Sequence, residues 1–204
     1  MKNKKIICII AIFILITITI YFFSKNNYKT TEFGNTTIKS AEDIKEYILN
    51  LESYEAQISV EISSNKNRNQ YKMKQIYKAP KLERLEILDP QSVKGIVTTY
   101  DGNNLKIENT ALNLSKIYEN YPYVAENGLW LSDFINNYKN NPSATFKEEE
   151  NQIIMQTNIQ EKSIIQTLYI DTKTKKPTKL TLEDMNKKML VYILYNEIKI
   201  NSSR

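Results

Sequence analysis

Hydrophobic side chains follow three different patterns along this chain. The first is an uninterrupted apolar run from Ile6 to Phe23. As a helix, these 18 residues would rise ~27 Å, close to the ~30 Å hydrocarbon core of a bilayer. The run closes on three aromatic residues, Tyr21 to Phe23, without the small residues of a signal-peptide cleavage site. We therefore predict an uncleaved membrane anchor over residues 1–23, with cleavage near Ser24 as the alternative.

The second pattern is helical spacing, which occurs at two places. Ser40 and Asp43 stand three residues apart, as in a capping box, and predict a helix from about Ala41 to Leu51. A second helix is predicted over about 132–139, with Ser132 as its N-cap. The apolar positions at this spacing are Ile44, Tyr47, Ile48 and Leu51 in the first helix and Leu131, Phe134, Ile135 and Tyr138 in the second.

The third pattern is alternation of apolar and polar residues, typical of half-buried antiparallel strands. Short turns such as Asp101-Gly102 separate the alternating segments, and no regular helical crossovers connect them, which excludes a doubly wound α/β fold. We predict an α+β fold that is mainly antiparallel β: a curved half-barrel sheet covered by the two helices. The predicted strands are 54–63, 71–77, 82–88, 96–100, 105–108, 145–149, 152–158, 163–171, 178–183 and 189–199.

The residues on either side of the apolar run predict the orientation of the chain in the membrane. Lys2, Lys4 and Lys5 precede it, and by the positive-inside rule the amino terminus lies in the cytoplasm. Residues 24–37 are polar and without periodicity, so they are predicted to be a flexible linker. Residues 38–204 then form one extracytoplasmic domain of a single-pass protein of the cell membrane.

Composition removes several classes of function. The chain has 28 Lys and Arg against 23 Asp and Glu, and both signs are mixed along its length, which argues against nucleic-acid binding. It has no histidine, and Cys8 is its one cysteine. Disulfides within the chain, His- or Cys-based zinc sites and His-based catalysis are therefore excluded. The acidic run Glu148 to Glu150 is typical of a solvated turn. We expect no enzymatic activity, no metal and no cofactor.

The closing segment of the chain resembles a known superfamily. A strand ending in Asp171, a turn to Lys176-Pro177 and a last strand through Asn196 to Asn201, together with the turn at Tyr100 to Gly102, are similar to the LolA/LolB/LppX-like envelope lipoprotein carriers. Within that superfamily, the passage from Ile44 to Val60 most resembles the spore-germination lipoprotein GerS group of clostridia. The resemblance covers Ser40 to Asn201 and implies a LolA-like fold for the domain.

The resemblance also implies a function. GerS-type proteins bind the zinc-dependent N-acetylmuramoyl-L-alanine amidase CwlD and enable it to start muramic-δ-lactam formation in cortex peptidoglycan. The resemblance therefore implies that this chain is a membrane-tethered, non-catalytic partner of such an amidase in the space around the forespore. Family members are typically lipoproteins, but Cys8 lies near the start of the apolar run and has no lipobox. We therefore expect no lipidation of this chain. The predicted helix over residues 1–23 would anchor it in the membrane instead.

Two alternatives remain open at this point. A half-barrel cavity lined by apolar residues would suit a carrier of a lipid or acyl chain. Exposed sheet edges would also allow a homodimer. For an amidase partner, the candidate contact residues are Tyr121, Tyr123 and Trp130, because Tyr and Trp dominate binding hot spots. The competing interpretation places these aromatic side chains in the core, beneath the second helix.

Overall fold

The computed structural model describes residues 40–64, 67–122, 128–159, 162–186 and 188–202. The predicted anchor over 1–23 and the linker over 24–37 lie outside these ranges. Residues 39–204 belong to one compact unit. Among the described residues, no helix combines the length and the apolarity needed to cross a membrane.

The described residues contain two helices and eleven strands. The helices are α1 (Ala41–Leu49) and α2 (Leu131–Asn140). The strands are β1 (Leu51–Ser63), β2 (Arg68–Lys78), β3 (Leu82–Asp89), β4 (Ile96–Tyr100), β5 (Leu105–Asn109), β6 (Leu114–Tyr118), β7 (Thr145–Glu149), β8 (Gln152–Ile159), β9 (Ile164–Asp171), β10 (Lys176–Asp184) and β11 (Met189–Ser202). The predicted α+β fold with mainly antiparallel strands and two helices is confirmed.

All eleven strands form one open, curled sheet in the order β6-β5-β4-β3-β2-β1-β11-β10-β9-β8-β7. Every neighbouring pair is antiparallel. Strand β1 lies at the centre with β11 beside it, and two meanders run outward from this pair. The sheet therefore ends at β6 on one side and β7 on the other. These two edge strands are consecutive in sequence, and the segment that contains α2 connects them.

The core lies on one face of this sheet, which we call the inner face. Along β1 the buried side chains are those that the alternation predicts: Tyr54, Ala56, Ile58 and Val60. Strands β8 to β11 add Ile153, Met155, Leu168, Ile170, Leu180 and Ile193, and α2 adds Leu131 and Phe134, all fully buried. Helix α1 contributes Ile44, Ile48 and Leu49, and the Tyr47 hydroxyl donates to the carbonyl of Ile200 on β11 at 3.2 Å.

The ends of the helices differ in part from the prediction. The capping box of α1 is present, with Ser40 and Asp43 bonded reciprocally. The helix ends at Leu49 rather than Leu51, because Leu51 pairs with Ser202 as the first residue of β1. The predicted N-cap of α2 at Ser132 is wrong. The helix begins at Leu131 after Trp130, which makes no side-chain cap, and the Ser132 hydroxyl instead donates to the Glu83 carboxylate at 3.4 Å.

Candidate functional site

The most exposed apolar surface of the described residues lies along edge strand β6 and its flanks. We call residues 112–121 the β6 edge. Five of the eight large apolar side chains that are exposed in the described structure belong to it. They are Leu112 (64% exposed), Leu114 (63%), Ile117 (57%), Tyr118 (38%) and Tyr121 (38%). Leu114 and Tyr118 lie on one face of the strand and Ile117 on the other. Exposed apolar side chains in such a concentration make this edge the candidate contact surface.

The backbone of β6 is paired on one side alone within the described structure. It joins β5 in an unbroken register from Leu105↔Tyr118 to Asn109↔Leu114. No described strand lies on its other side. Part of its N–H and C=O groups therefore point outward from the sheet, as at any edge strand.

The turn between β5 and β6 holds one end of the edge in place. The Asn109 side chain accepts a hydrogen bond from the Leu112 amide at 3.1 Å, and Asn113 takes a positive φ of 51°. Thr110 donates to the Gly95 carbonyl through both its amide (2.9 Å) and its hydroxyl (3.1 Å). The hairpin is thereby bonded to the loop before β4.

The loop before β5 holds the other end. The Tyr121 amide donates to the Asn103 carbonyl at 2.8 Å, and the rings of Tyr118 and Tyr121 meet edge to face at 6.3 Å. The Asp101 carboxylate organises this loop by accepting from the amides of Asn103 (2.9 Å) and Asn104 (2.7 Å), and these bonds lower the pKa of Asp101. Contacts at both ends therefore hold the β6 edge extended, and within the described residues no strand pairs with its outer rim.

The inner side of the β6 edge continues a row of tyrosines from the core. Cross-strand register places Tyr54, Tyr77, Tyr100 and Tyr118 on the same face, with Glu83 and Leu105 between them. Tyr54 and Tyr77 stack at 5.7 Å, and Tyr54 is buried. Tyr118 at the far end is exposed, and Lys116 Nζ lies 4.7 Å from its ring centroid. The row of tyrosines thus leads from the buried core to the exposed β6 edge.

The opposite edge strand, β7, is protected in several ways. Lys147 Nζ lies 2.7 Å from Glu149 Oε1, and Gln152 donates to the same carboxylate at 3.1 Å. Both contacts lower the pKa of Glu149. The Tyr138 hydroxyl donates to the Thr145 carbonyl at 3.3 Å. Charged side chains and covered backbone groups are what natural edge strands use against pairing. The two ends of the sheet are therefore not equivalent.

A buried hydrogen-bond network fixes the segment that enters α2. The Tyr54 hydroxyl donates to Gln75 Oε1 at 3.1 Å and accepts from the Leu131 amide at 3.3 Å. Gln75 Nε2 donates to the Leu129 carbonyl at 3.0 Å. Burial raises the pKa of Tyr54 well above its usual value, so the phenol stays protonated as this network requires. The network joins β1 and β2 to the start of α2.

We expect Tyr54→Phe to lower the free energy of unfolding by about 1–3 kcal/mol, because Gln75 Oε1 and the Leu131 amide lose their partner in the core. Trp130, the one tryptophan of the chain, lies 6.5 Å from Tyr54 and reports unfolding by its fluorescence. The matched control is Tyr118→Phe, whose hydroxyl lies at the exposed end of the row and should matter little. Equal losses in the two variants would contradict the prediction.

The structure separates the sequence-predicted contact residues. Tyr121 lies on the β6 edge and is exposed. Trp130 is 5% exposed and packs against Tyr54, where the competing core interpretation placed it. Tyr123 lies outside the described residues. Neither position tests binding itself. Leu112, Leu114 and Ile117 were not predicted as contact residues, because the alternation does not identify β6 as a strand.

The inner face offers little room for the alternative of a lipid carrier. Ile58, Met155, Leu168 and Ile193 are at most 1% exposed, so the described inner face is closed to solvent at these positions. The described residues do form a cavity of about 240 Å³, but it is an open groove on the outer face, where polar side chains such as Ser59 and Lys72 stand beside Tyr71, Tyr192 and Leu194. Pockets for drug-sized ligands have volumes of ~300–1,000 Å³. The groove is therefore smaller than a pocket for a drug-sized ligand.

Comparisons with known proteins bear on the whole chain. The family model of the YdcC-like sporulation proteins matches residues 2–203. An uncharacterized conserved protein from Thermus thermophilus is similar in structure, with a TM-score of 0.50 and 16% identity, over 81% of this chain and 90% of that one. At this identity the likeness shows a shared fold.

Two further solved structures are similar at lower scores. A chain from the CwlD amidase of Clostridioides difficile in complex with the GerS lipoprotein matches with 23% identity and a TM-score of 0.49, over 83% of this chain and 99% of that one. A LolA superfamily protein from Nitrosomonas europaea matches with 9% identity and a TM-score of 0.40, over 81% and 96%. No curated protein matches the chain.

Proposed function

The chain belongs to the family of YdcC-like sporulation proteins, and from this premise we propose that it is a non-catalytic binding partner in spore formation, tethered to the cell membrane by residues 1–23, with its folded domain outside the cytoplasm. The family confirms the association with sporulation that the sequence resemblance implied. The tether, the location and the partner are parts of the proposal.

The observation that supports a binding role is the exposed β6 edge. Its apolar side chains stand on a strand whose backbone is held extended by Asn103 at one end and by Gly95 at the other. A surface ordered before binding loses less conformational entropy when a partner docks. Within the described residues, no three His, Cys, Asp or Glu side chains are grouped to hold a metal ion. In this proposal the partner supplies the catalysis and its metal.

The partner to test is an amidase of the CwlD type. This partner is the one that the resemblance of residues 44–60 to the GerS group implies. We propose that the amidase contacts this chain at the β6 edge. The experiment is co-purification of the full-length chain, in mild detergent, with the amidase from sporulating cells. A complex is expected, and spores that lack this protein should lack muramic-δ-lactam. If no complex forms and the lactam is normal without the protein, the proposal is abandoned.

A single charge in the β6 edge should weaken the complex. Leu114 is 63% exposed in the free protein and is buried if the edge docks. Burying a leucine side chain is worth ~1.5–3 kcal/mol. We expect Leu114→Glu to raise the Kd by roughly 10- to 100-fold, measured by titration of the labelled full chain with the amidase.

The matched control for this test is Met185→Glu. Met185 is 62% exposed and apolar like Leu114, but it lies in the turn between β10 and β11, far from β6 in the strand order. The control should bind with unchanged affinity and unfold at the same temperature as the parent chain. Equal weakening by both substitutions would remove the β6 edge from the proposal while leaving the complex itself intact.

A further inference from the structure

We propose that the partner adds an extended strand to β6, and that this strand carries an acidic residue opposite Lys116 with apolar residues two positions away on either side. This inference rests on the proposed function, since it describes how the partner meets the β6 edge. It specifies the recognised motif by its side-chain pattern. The mode is strand addition, in which main-chain hydrogen bonds supply affinity and alternate side chains supply specificity.

The backbone of the β6 edge favours an extended partner over a helix or a loop. β6 is the last strand of the sheet, and every one of its residues is exposed. Its outward amides and carbonyls are arranged in the repeat of a strand, which a second strand matches group for group. An apolar helix lying against the edge would cover these groups without bonding them, at a cost for each unpaired group.

The side chains on the inner side of β6 define the pattern. Leu114, Lys116 and Tyr118 lie on this side, since they pair with Asn109, Ile107 and Leu105 of β5. Leu114 and Tyr118, at the two ends of this row, are apolar and are 63% and 38% exposed, and Lys116 between them is cationic. Directly opposite positions in neighbouring strands have Cβ atoms about 4.5–5.5 Å apart. Opposite these three, the complementary order is therefore apolar, acidic, apolar.

Lys116 is available for such a contact. Its ammonium group lies over the Tyr118 ring at 4.7 Å, and none of the ion pairs in the described residues includes it. On the outer side of β5, by contrast, Lys106 and Glu108 already pair with each other at 2.8 Å. Within strand β6 itself, Lys116 is the one charged residue, so the unmatched charge of the strand is on its inner side. Because the pattern is symmetric about Lys116, it suits a strand of either direction.

The same pattern disfavours a second copy of this chain as the occupant. Antiparallel self-pairing that sets Leu114 against Tyr118 of the other copy also sets the two Lys116 side chains against each other. Like charges directly opposite are destabilising in a sheet. In this register the like charges favour a strand of a different sequence as the occupant, and self-association is an outcome that the experiment can detect.

The first arm of the test is hydrogen exchange of the full-length chain in detergent, with and without the CwlD-type amidase. We expect the complex to slow exchange at amides within residues 114–118, with little change in β7. If the amidase binds and β6 exchanges as before, strand addition and the contact at the β6 edge are wrong, while the proposed role as an amidase partner stands. If the amidase does not bind, the proposed function fails instead. Slowed exchange at β6 in the free chain at high concentration would show self-pairing and overturn the inference.

The second arm exchanges the charge and needs no amidase. The probes are two peptides of seven residues with valine, a central charge and valine at alternate positions, one with glutamate and one with lysine at the centre. The parent chain should bind the glutamate peptide roughly three- to ten-fold more tightly, and Lys116→Glu should reverse this preference. A third peptide with proline at the centre should not bind, since proline cannot join a strand ladder.

Controls make the second arm decisive. Lys106→Glu changes a neighbouring cation whose charge Glu108 already neutralises on the outer side, so it should leave the preference between the peptides unchanged. Lys116 is exposed, so its substitution should leave the unfolding temperature unaltered. A preference that does not reverse in Lys116→Glu, or equal binding of the proline peptide, would overturn the inference.

Discussion

Replacing Phe134 by alanine should lower the free energy of unfolding by about 3–5 kcal/mol. Phe134 is fully buried on α2, and its ring lies 5.8 Å from that of Tyr138. The loss combines the transfer energy of the ring with a cavity between the helix and the sheet. For a domain of this size, 1 kcal/mol corresponds to ~2–4 °C in the unfolding temperature. The unfolding temperature of the variant should therefore be about 6–20 °C lower.

The measurement is denaturant-induced unfolding of the full chain in mild detergent, followed by the fluorescence of Trp130. Lys139→Ala is the control, because Lys139 is exposed in the last turn of the same helix. Its effect should stay within about 0.5 kcal/mol. A loss below about 1 kcal/mol in Phe134→Ala would mean that α2 is not part of the cooperative core.

Gly128→Ala should be the second most damaging substitution, with a loss of about 2–4 kcal/mol from strain and overpacking. Gly128 has a φ of +60° and is buried where the chain leaves the β6 edge for α2. A Cβ at this position would overlap Leu182 Cδ2 on β10. Neither the backbone nor the facing strand can accept it without a shift. The unfolding assay used for Phe134 measures the loss.

A double-mutant cycle with Leu182→Ala separates the two causes. Leu182→Ala alone removes a buried side chain and is itself destabilising. In Gly128→Ala/Leu182→Ala the overlap is gone, so the double variant should be more stable than the sum of the single losses by about 1 kcal/mol or more. Strict additivity would mean that the backbone conformation of Gly128 accounts for the whole effect.

The local rules of secondary structure were sufficient for most of this fold. The alternation along β1 and the capping box at Ser40 identify elements from neighbouring residues alone. The start of α2 was misplaced because Trp130 precedes the helix for a tertiary reason: the network of Tyr54 and Gln75 fixes Leu129 and Leu131. The pairing of β1 with β11 depends on residues far apart in sequence, and no local pattern specifies it.

The candidate site was less accessible to sequence reasoning. Strand β6 is short, and Lys116 stands where the alternation requires an apolar residue. The hydrophobic pattern therefore does not predict a strand here. Aromatic composition drew attention to Tyr121 and Trp130 equally. One is on the surface and the other is in the core, because exposure depends on the strands and helices around each residue. Edge position is a property of the whole sheet order.

The central place of β1 also sets an order of events in time. Ile58 pairs with Tyr195, which the ribosome adds 137 residues later (195 − 58). At ~5–20 residues per second, β1 can pair with β2 at once but waits on the order of ten seconds for β11, its second neighbour, to be made. Contacts this distant in sequence also form slowly once both strands exist. The last strand to be synthesised therefore decides when the first becomes core, and a chain that is exported during synthesis would pass through the membrane before it can fold.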